Sequence, residues 1–143
     1  MPPRTCSFEV RGIPAPQGSK RHVGHGIMIE SSKKVKPWRA AVMAASSAAM
    51  RAQGITAPLD GPLHATIIFV FRRPKTAPKS RSYPDVSPDI DKLLRSTLDA
   101  LTQSALIADD ARIVCVHASK IYWRTSATHL MPGANILIGE IDP

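Results

Sequence analysis

Apolar and polar residues alternate over Ser7-Phe8-Glu9-Val10-Arg11, which predicts a β-strand. The next stretch, Gly12-Ile-Pro-Ala-Pro-Gln-Gly-Ser-Lys-Arg21, is punctuated by glycine and proline and predicts a loop, with a short strand expected near residues 27–30. The period then lengthens. Trp38, Val42, Ala45 and Ala49 recur at helical spacing, so a helix over 37–52 is expected. Pro37 suits its first turn and Gly54 the position just past its end, and the alanines predict close approach to a sheet. Residues 64–71 read as a buried, β-branched strand, and residues 72–88, with Pro74, Pro78, Pro84 and Pro88, as a mobile loop. Ser87-Pro88-Asp89 predicts a second helix start, with a capping serine, proline in the first turn and acid near the positive end of the dipole. Ile90, Leu94, Leu98 and Leu101 are its expected buried face. Residues 111–122 and 134–141 read as strands joined by a loop through Pro132-Gly133. The order βαβαββ predicts an α/β (α+β) fold, a single small domain over 1–143 with a mixed sheet and two main helices.

Composition narrows the function. The 143 residues carry 19 Lys and Arg against 11 Asp and Glu, a net charge of +8 that favours a polyanionic partner. A membrane is the poorer candidate, because the most apolar run, residues 65–71, is far too short to span a bilayer. The helix expected at 37–52 is alanine-rich rather than lysine-rich on its polar face. The first residues lack the apolar core of a signal peptide, and Cys6 and Cys115 form no CxxC, so two reduced thiols in a cytoplasm are expected. No GxxxxGK[ST], HExxH or GxSxG occurs, which removes the common ATPase, zinc-protease and esterase readings.

Acid is concentrated where base is not. Asp85, Asp89, Asp91, Asp99, Asp109 and Asp110 are six of the 11 carboxylates, all within 82–110. Upstream, residues 1–39 hold eight Lys and Arg, and residues 71–81 hold Arg72, Arg73, Lys75, Lys79 and Arg81 with no acid. A basic surface with one acidic island suits a metal-dependent nuclease: the bases gather phosphate and the carboxylates hold a cation that promotes its hydrolysis. With Asp89 as the last extended residue and Asp91 in the first turn, both carboxylates can face one cleft. Asp109-Asp110 leaves the far end of the same helix, roughly 20 Å away by helix rise. Bringing Asp110 back requires the connection to fold toward the helix start. A simple return would place later strand residues there instead.

Asp89-x-Asp91, Leu93, a base at Arg95, Asp99-Ala100-Leu101, Asp109-Asp110 and Lys120 stand in an order and spacing that resemble the RusA family of Holliday-junction endonucleases, often carried by phages and prophages. Pro16-Gln-Gly-Ser-Lys20-Arg21 is similar to the glycine-lysine-arginine loop near the start of phage members. The resemblance implies that Asp89, Asp91 and Asp110 form a Mg²⁺ site, with Mn²⁺ able to substitute and no organic cofactor. One such site per subunit of a tight homodimer is implied, acting on four-way DNA junctions in the bacterial cytoplasm. Arg95 and Lys120 are implied to serve catalysis or DNA binding. Lys20, Arg21, Lys92 and Lys120, with the basic group of 72–81, are the expected DNA contacts. Two positions depart from the family pattern. Asn is usual where Lys92 stands, and Lys where Arg95 stands. A lysine beside the acids adds positive charge that opposes a cation; arginine binds phosphate in a bidentate fork but donates a proton poorly.

Each of these residues also has a plainer reading. Asp91 and Arg95 are spaced as an exposed helix pair, Asp89 as a dipole acid, and Asp109-Asp110 as a turn. Asp99 is expected to pair with Arg95 rather than to act in catalysis. His22 and His25 lack neighbouring ligands for a metal, and Trp38 reads as core. The leading expectation is a Mg²⁺-dependent endonuclease that nicks junctions in symmetric pairs. Its rivals are a non-catalytic DNA-binding phage protein, and a nuclease of the same fold acting on flaps, forks or RNA.

Overall fold

A computed structural model describes residues 2–17, 20–22, 28–30, 33–124 and 130–142, with backbone only for 20–22 and 28–30. The elements run β1 (Thr5–Arg11), β2 (Lys20–His22), β3 (Met28–Glu30), α1 (Val35–Ala52), β4 (Leu63–Phe71), α2 (Ile90–Gln103), a 3-10 turn (Asp110–Arg112), β5 (Ile113–Tyr122) and β6 (Gly133–Glu140). The main sheet has the order β1-β6-β4-β5. β6 pairs antiparallel with both β1 and β4, whereas β4 and β5 run parallel. The sheet is therefore mixed, in the expected α+β class. The sequence pattern missed β2, which pairs with β3 in the stretch expected to be a loop.

Parallel neighbours need a crossover, and α2 supplies it between β4 and β5. α1 and α2 pack on one sheet face. Cys6, Val10, Leu63, Ala65, Ile67, Phe69, Ala134, Ile136 and Ile138 point into that layer and meet Trp38, Val42, Leu93 and Leu101. Two polar groups in this core are satisfied: the Trp38 indole donates to Thr97 Oγ1 at 3.1 Å, and Ser96 donates to the Ala15 carbonyl at 2.6 Å.

α1 starts two residues earlier than expected and ends as expected. Ile55 N–H returns to the Met50 carbonyl and Gly54 N–H to Arg51, with Gly54 at φ +71°. This is the left-handed helix stop that glycine favours. α2 closes in the same way, Leu106 N–H to Leu101 and Ala105 N–H to Thr102, but with alanine at φ +64°. Its start differs from the expectation: the N-cap is Asp89, not Ser87, and Pro88 lies outside the helix. Its buried face is Leu93, Ser96, Thr97, Ala100 and Leu101, while Ile90, Leu94 and Leu98 are half-buried against the core. Ser96 and Thr97 turn inward because Ala15 and Trp38 give them partners.

β5 and β1 are the two edge strands of the main sheet. Val114 and Val116 remain 65% and 40% exposed on β5. Cys6 is buried and Cys115 exposed, and both are free thiols. No described helix is long and apolar enough to cross a membrane.

Candidate active site

The segment feeding α2 determines what its first turn presents. After the cis Ser87-Pro88 peptide, Asp89 takes an extended conformation (φ −68°, ψ 140°) and leaves its side chain free of any cap bond. Its carbonyl receives Leu93 N–H at 3.1 Å, so the helix begins immediately and places Asp91 in the first turn. Asp89 and Asp91 then line one cavity of about 610 Å³ with Tyr83, Val86, Ile90 and Lys120. Both acids are exposed. An adjoining cleft of about 560 Å³, walled by Ile13, Pro16, Lys34, Phe71 and Lys92, shares Ser87 and Asp89 with the first.

Two lysines face the acids differently. Lys92 Nζ lies 3.6 Å from Asp89 Oδ2, a half-exposed pair one helical turn long. Lys120 comes from β5 and donates to the Val86 carbonyl at 2.8 Å and the Pro88 carbonyl at 2.9 Å. The crossover topology explains the second placement: the parallel strand returns to the N-terminal end of α2 only at its own far end.

Asp110 follows from the same topology. It starts the 3-10 turn before β5, beside the last turns of α2, where Thr102 Oγ1 donates to its Oδ1. Burial pushes its carboxyl above the ordinary range; the Thr102 hydroxyl opposes this, while neighbouring Asp99 and Asp109 add to it. Asp109 caps the turn by accepting from Ala111 N–H at 2.9 Å. Asp99 does not rely on Arg95, which is exposed. It accepts from Gln17 Nε2 at 2.7 Å, and Gln17 Oε1 accepts from Arg39 at 2.9 Å, so the expected Arg95–Asp99 pair gives way to a three-residue chain. Gln17 N–H also binds the Lys92 carbonyl at 3.1 Å, which ties the start of the Gln-Gly-Ser-Lys-Arg motif to α2.

Within one chain, then, the structure brings Asp89 and Asp91 together and leaves Asp110 at the other end of the helix. Eleven residues separate Asp91 from Thr102, roughly 16 Å of rise. Among the described residues no three His, Cys, Asp or Glu side chains are grouped to hold a metal ion. Two exposed carboxylates on an open cavity still fit Mg²⁺, which commonly takes one or two protein carboxylates and completes its shell with water and substrate phosphate.

The basic loop leads from β4 to this cavity and is tied by turns, Ala77 N–H to Pro74, Arg81 N–H to Pro78 and Asp85 N–H to Tyr83. Arg73 donates to the Pro78 and Arg81 carbonyls, and Arg81 pairs with Asp85 at 3.3 Å. Arg72 and Arg73 lie 5.0 and 5.5 Å from the Trp123 and Tyr122 ring centres. Lys75 and Lys79 are exposed. Gly18, Ser19 and His25 lie outside the described residues, as do the side chains of Lys20, Arg21 and His22. Sequence reasoning missed Tyr83 and Val86 on the cavity rim and the Gln17–Arg39 support of Asp99. Gln17 sat inside a motif already singled out, but its partners required the fold.

The family model of endodeoxyribonuclease RusA matches residues 9–131. No curated protein matches the chain significantly.

Proposed function

The chain belongs to the RusA endodeoxyribonuclease family and is an enzyme that cuts DNA; from that premise we propose that it is a Mg²⁺-dependent resolvase of four-way junctions, acting as a homodimer. The observation that carries the reading is the pair Asp89 and Asp91, exposed on a shared cavity at a helix mouth. Hard carboxylate oxygens at that point suit Mg²⁺ over softer metals. The bound cation supplies charge neutralisation at a phosphodiester and an oriented water. The chain's own groups do the rest. Arg72, Arg73, Lys75, Lys79 and Arg81 lie along the loop that leads into the cavity, where they attract backbone phosphate without reading sequence. Arg95, exposed one turn beyond Asp91, is placed to fork onto a phosphate oxygen pair. Lys92 holds Asp89 until a cation displaces it. The family reading further implies an enzyme of the bacterial cytoplasm, phage or prophage encoded, with Mn²⁺ able to replace Mg²⁺.

The dimer has a physical basis in the open edge of β5. An edge strand with exposed valines favours pairing with another strand. Two copies of β5 paired antiparallel about a two-fold axis near Val116 set Arg112 of one beside Lys120 of the other. In that arrangement the partner's Asp110 would approach Lys120, at the cavity that already holds Asp89 and Asp91. Such a dimer has two equivalent three-carboxylate sites, as paired nicking of a symmetric junction requires.

The test is incubation with a labelled four-way junction and with linear duplex, each with and without Mg²⁺. Paired, symmetric nicks only on the junction and only with Mg²⁺ are expected. Bound but uncut junction under every condition would instead favour a DNA-binding protein, and preference for flaps, forks or RNA would move the substrate.

A further inference from the structure

We propose that Lys120 is a positioning residue for the cation site, holding the Val86–Pro88 segment so that Asp89 and Asp91 face one cavity, and that it is not a DNA contact. The inference rests on the metal-dependent reading above. It begins with where the lysine sits. Phe69 and Lys120 are register partners in β4 and β5, and Phe69 is fully buried on the helix-covered face, so the Lys120 stem lies along that face and its ammonium emerges at the mouth of α2. There two of its three N–H donors meet the carbonyls of Val86 and Pro88 at 2.8 and 2.9 Å. Those carbonyls belong to the residues just ahead of Asp89. Asp89 makes no side-chain cap hydrogen bond to the backbone of its own helix, and its contact with Lys92 is a loose 3.6 Å. The direction of both carboxylates is thus set by the backbone that Lys120 grips, not by a local cap.

Lys92 provides the contrast. It meets Asp89 directly, at 3.6 Å, and can swing to a phosphate without loosening any backbone. Lys120 cannot leave its carbonyls without freeing the segment that carries the acids.

The three roles open to Lys120 predict different outcomes. A lysine that is merely a positive charge near two carboxylates repels an incoming cation, so its removal tightens metal binding. A lysine that positions the carboxylates makes metal binding weaker when removed. A lysine that contacts phosphate leaves metal binding alone and lowers the slope of log K against log [salt] by about 1 when removed.

The experiment compares the wild-type protein with Lys120→Met, which keeps the stem, and Lys120→Arg, which keeps the donors. Mg²⁺ binding to the DNA-free protein is measured by titration calorimetry, amide exchange over residues 85–92 in metal-free protein by mass spectrometry, and junction affinity against salt in EDTA. The expected result is faster exchange and about tenfold weaker Mg²⁺ binding in Lys120→Met, recovery in Lys120→Arg, and an unchanged salt slope. Lys120→Leu, which likewise has no donor, gives the same comparison should Lys120→Met not fold. Unchanged or tighter Mg²⁺ binding in the folded variant, or a salt slope reduced by about 1, would overturn the proposal. Wild-type protein that binds no Mg²⁺ would overturn the nuclease reading itself, an outcome recognisable before any variant is compared.

Discussion

At the first turn of α2, Asp89 and Asp91 stand exposed on a cavity of about 610 Å³, and Asp89 is met by Lys92 at a loose 3.6 Å. Three turns on, Asp99 is gripped by Gln17 at 2.7 Å and Asp110 takes the Thr102 hydroxyl, with burial raising the Asp110 carboxyl. One helix therefore presents acids in two conditions. Those at its start carry no cap hydrogen bond, with Lys92 a loose contact to Asp89, and stand open to a ligand. Those at its end are knitted into α1, the N-terminal loop and the turn before β5. The difference separates what acids do for binding from what they do for folding. An exposed, loosely paired carboxylate contributes little to stability, and in the proposed function its pairing with a second one serves a cation.

Substitutions at the two ends sharpen that contrast. Asp91→Asn should lower junction cleavage by roughly 100-fold or more, the scale of several kcal/mol of lost charge stabilisation. Its thermal midpoint and its junction affinity in EDTA should stay near wild type; a cleavage gel and a melting curve check both. Asp99→Ala, at the other end, should behave inversely. It leaves the Gln17 side-chain amide without its acceptor and loosens the residue that Arg39 donates to, and denaturant unfolding should report a loss of roughly 1–3 kcal/mol. Ala105→Gly relieves the left-handed strain at the α2 stop and should raise stability by about 1 kcal/mol with cleavage unchanged.

The smallest stability effect is expected at Asp110. Its folded pKa lies above the ordinary 3.8, so the folded, metal-free chain binds a proton more tightly than the unfolded one. The stability contributed by this group is present at low pH and is lost as pH rises through the raised value. Asp110→Asn should remove that loss. Melting of the metal-free protein should then show a higher midpoint than wild type near neutral pH and no gain at acid pH. A midpoint lowered at every pH would contradict the burial argument.

How much of this could be read along the chain depended on range. The hydrophobic periods located both helices and all four main strands, because each carries its own local signal. The extended Asp89 followed by Asp91 in the first turn was also within reach, since helix geometry alone aligns them. Three features were not. The helix start moved from Ser87 to Asp89. Ser96 and Thr97 displaced leucines from the buried face, because their partners, Ala15 and Trp38, lie far away in sequence. The position of Asp110 depended on β5 running parallel to β4, which no local pattern encodes. The consequence anticipated for a direct strand return was found, with Lys120, ten residues past Asp110, at the helix mouth.

In the proposed dimer the two ends of α2 work together, each site taking Asp89 and Asp91 from one copy and Asp110 from the other. Subunit mixing tests this arrangement directly. Asp91→Asn and Asp110→Asn proteins are prepared separately, unfolded together, refolded and incubated with a labelled junction and Mg²⁺. Each variant alone should be inactive and the mixture should regain nicking, since every mixed dimer holds one intact site. A mixture confirmed to contain mixed dimers yet as inactive as either parent would contradict it.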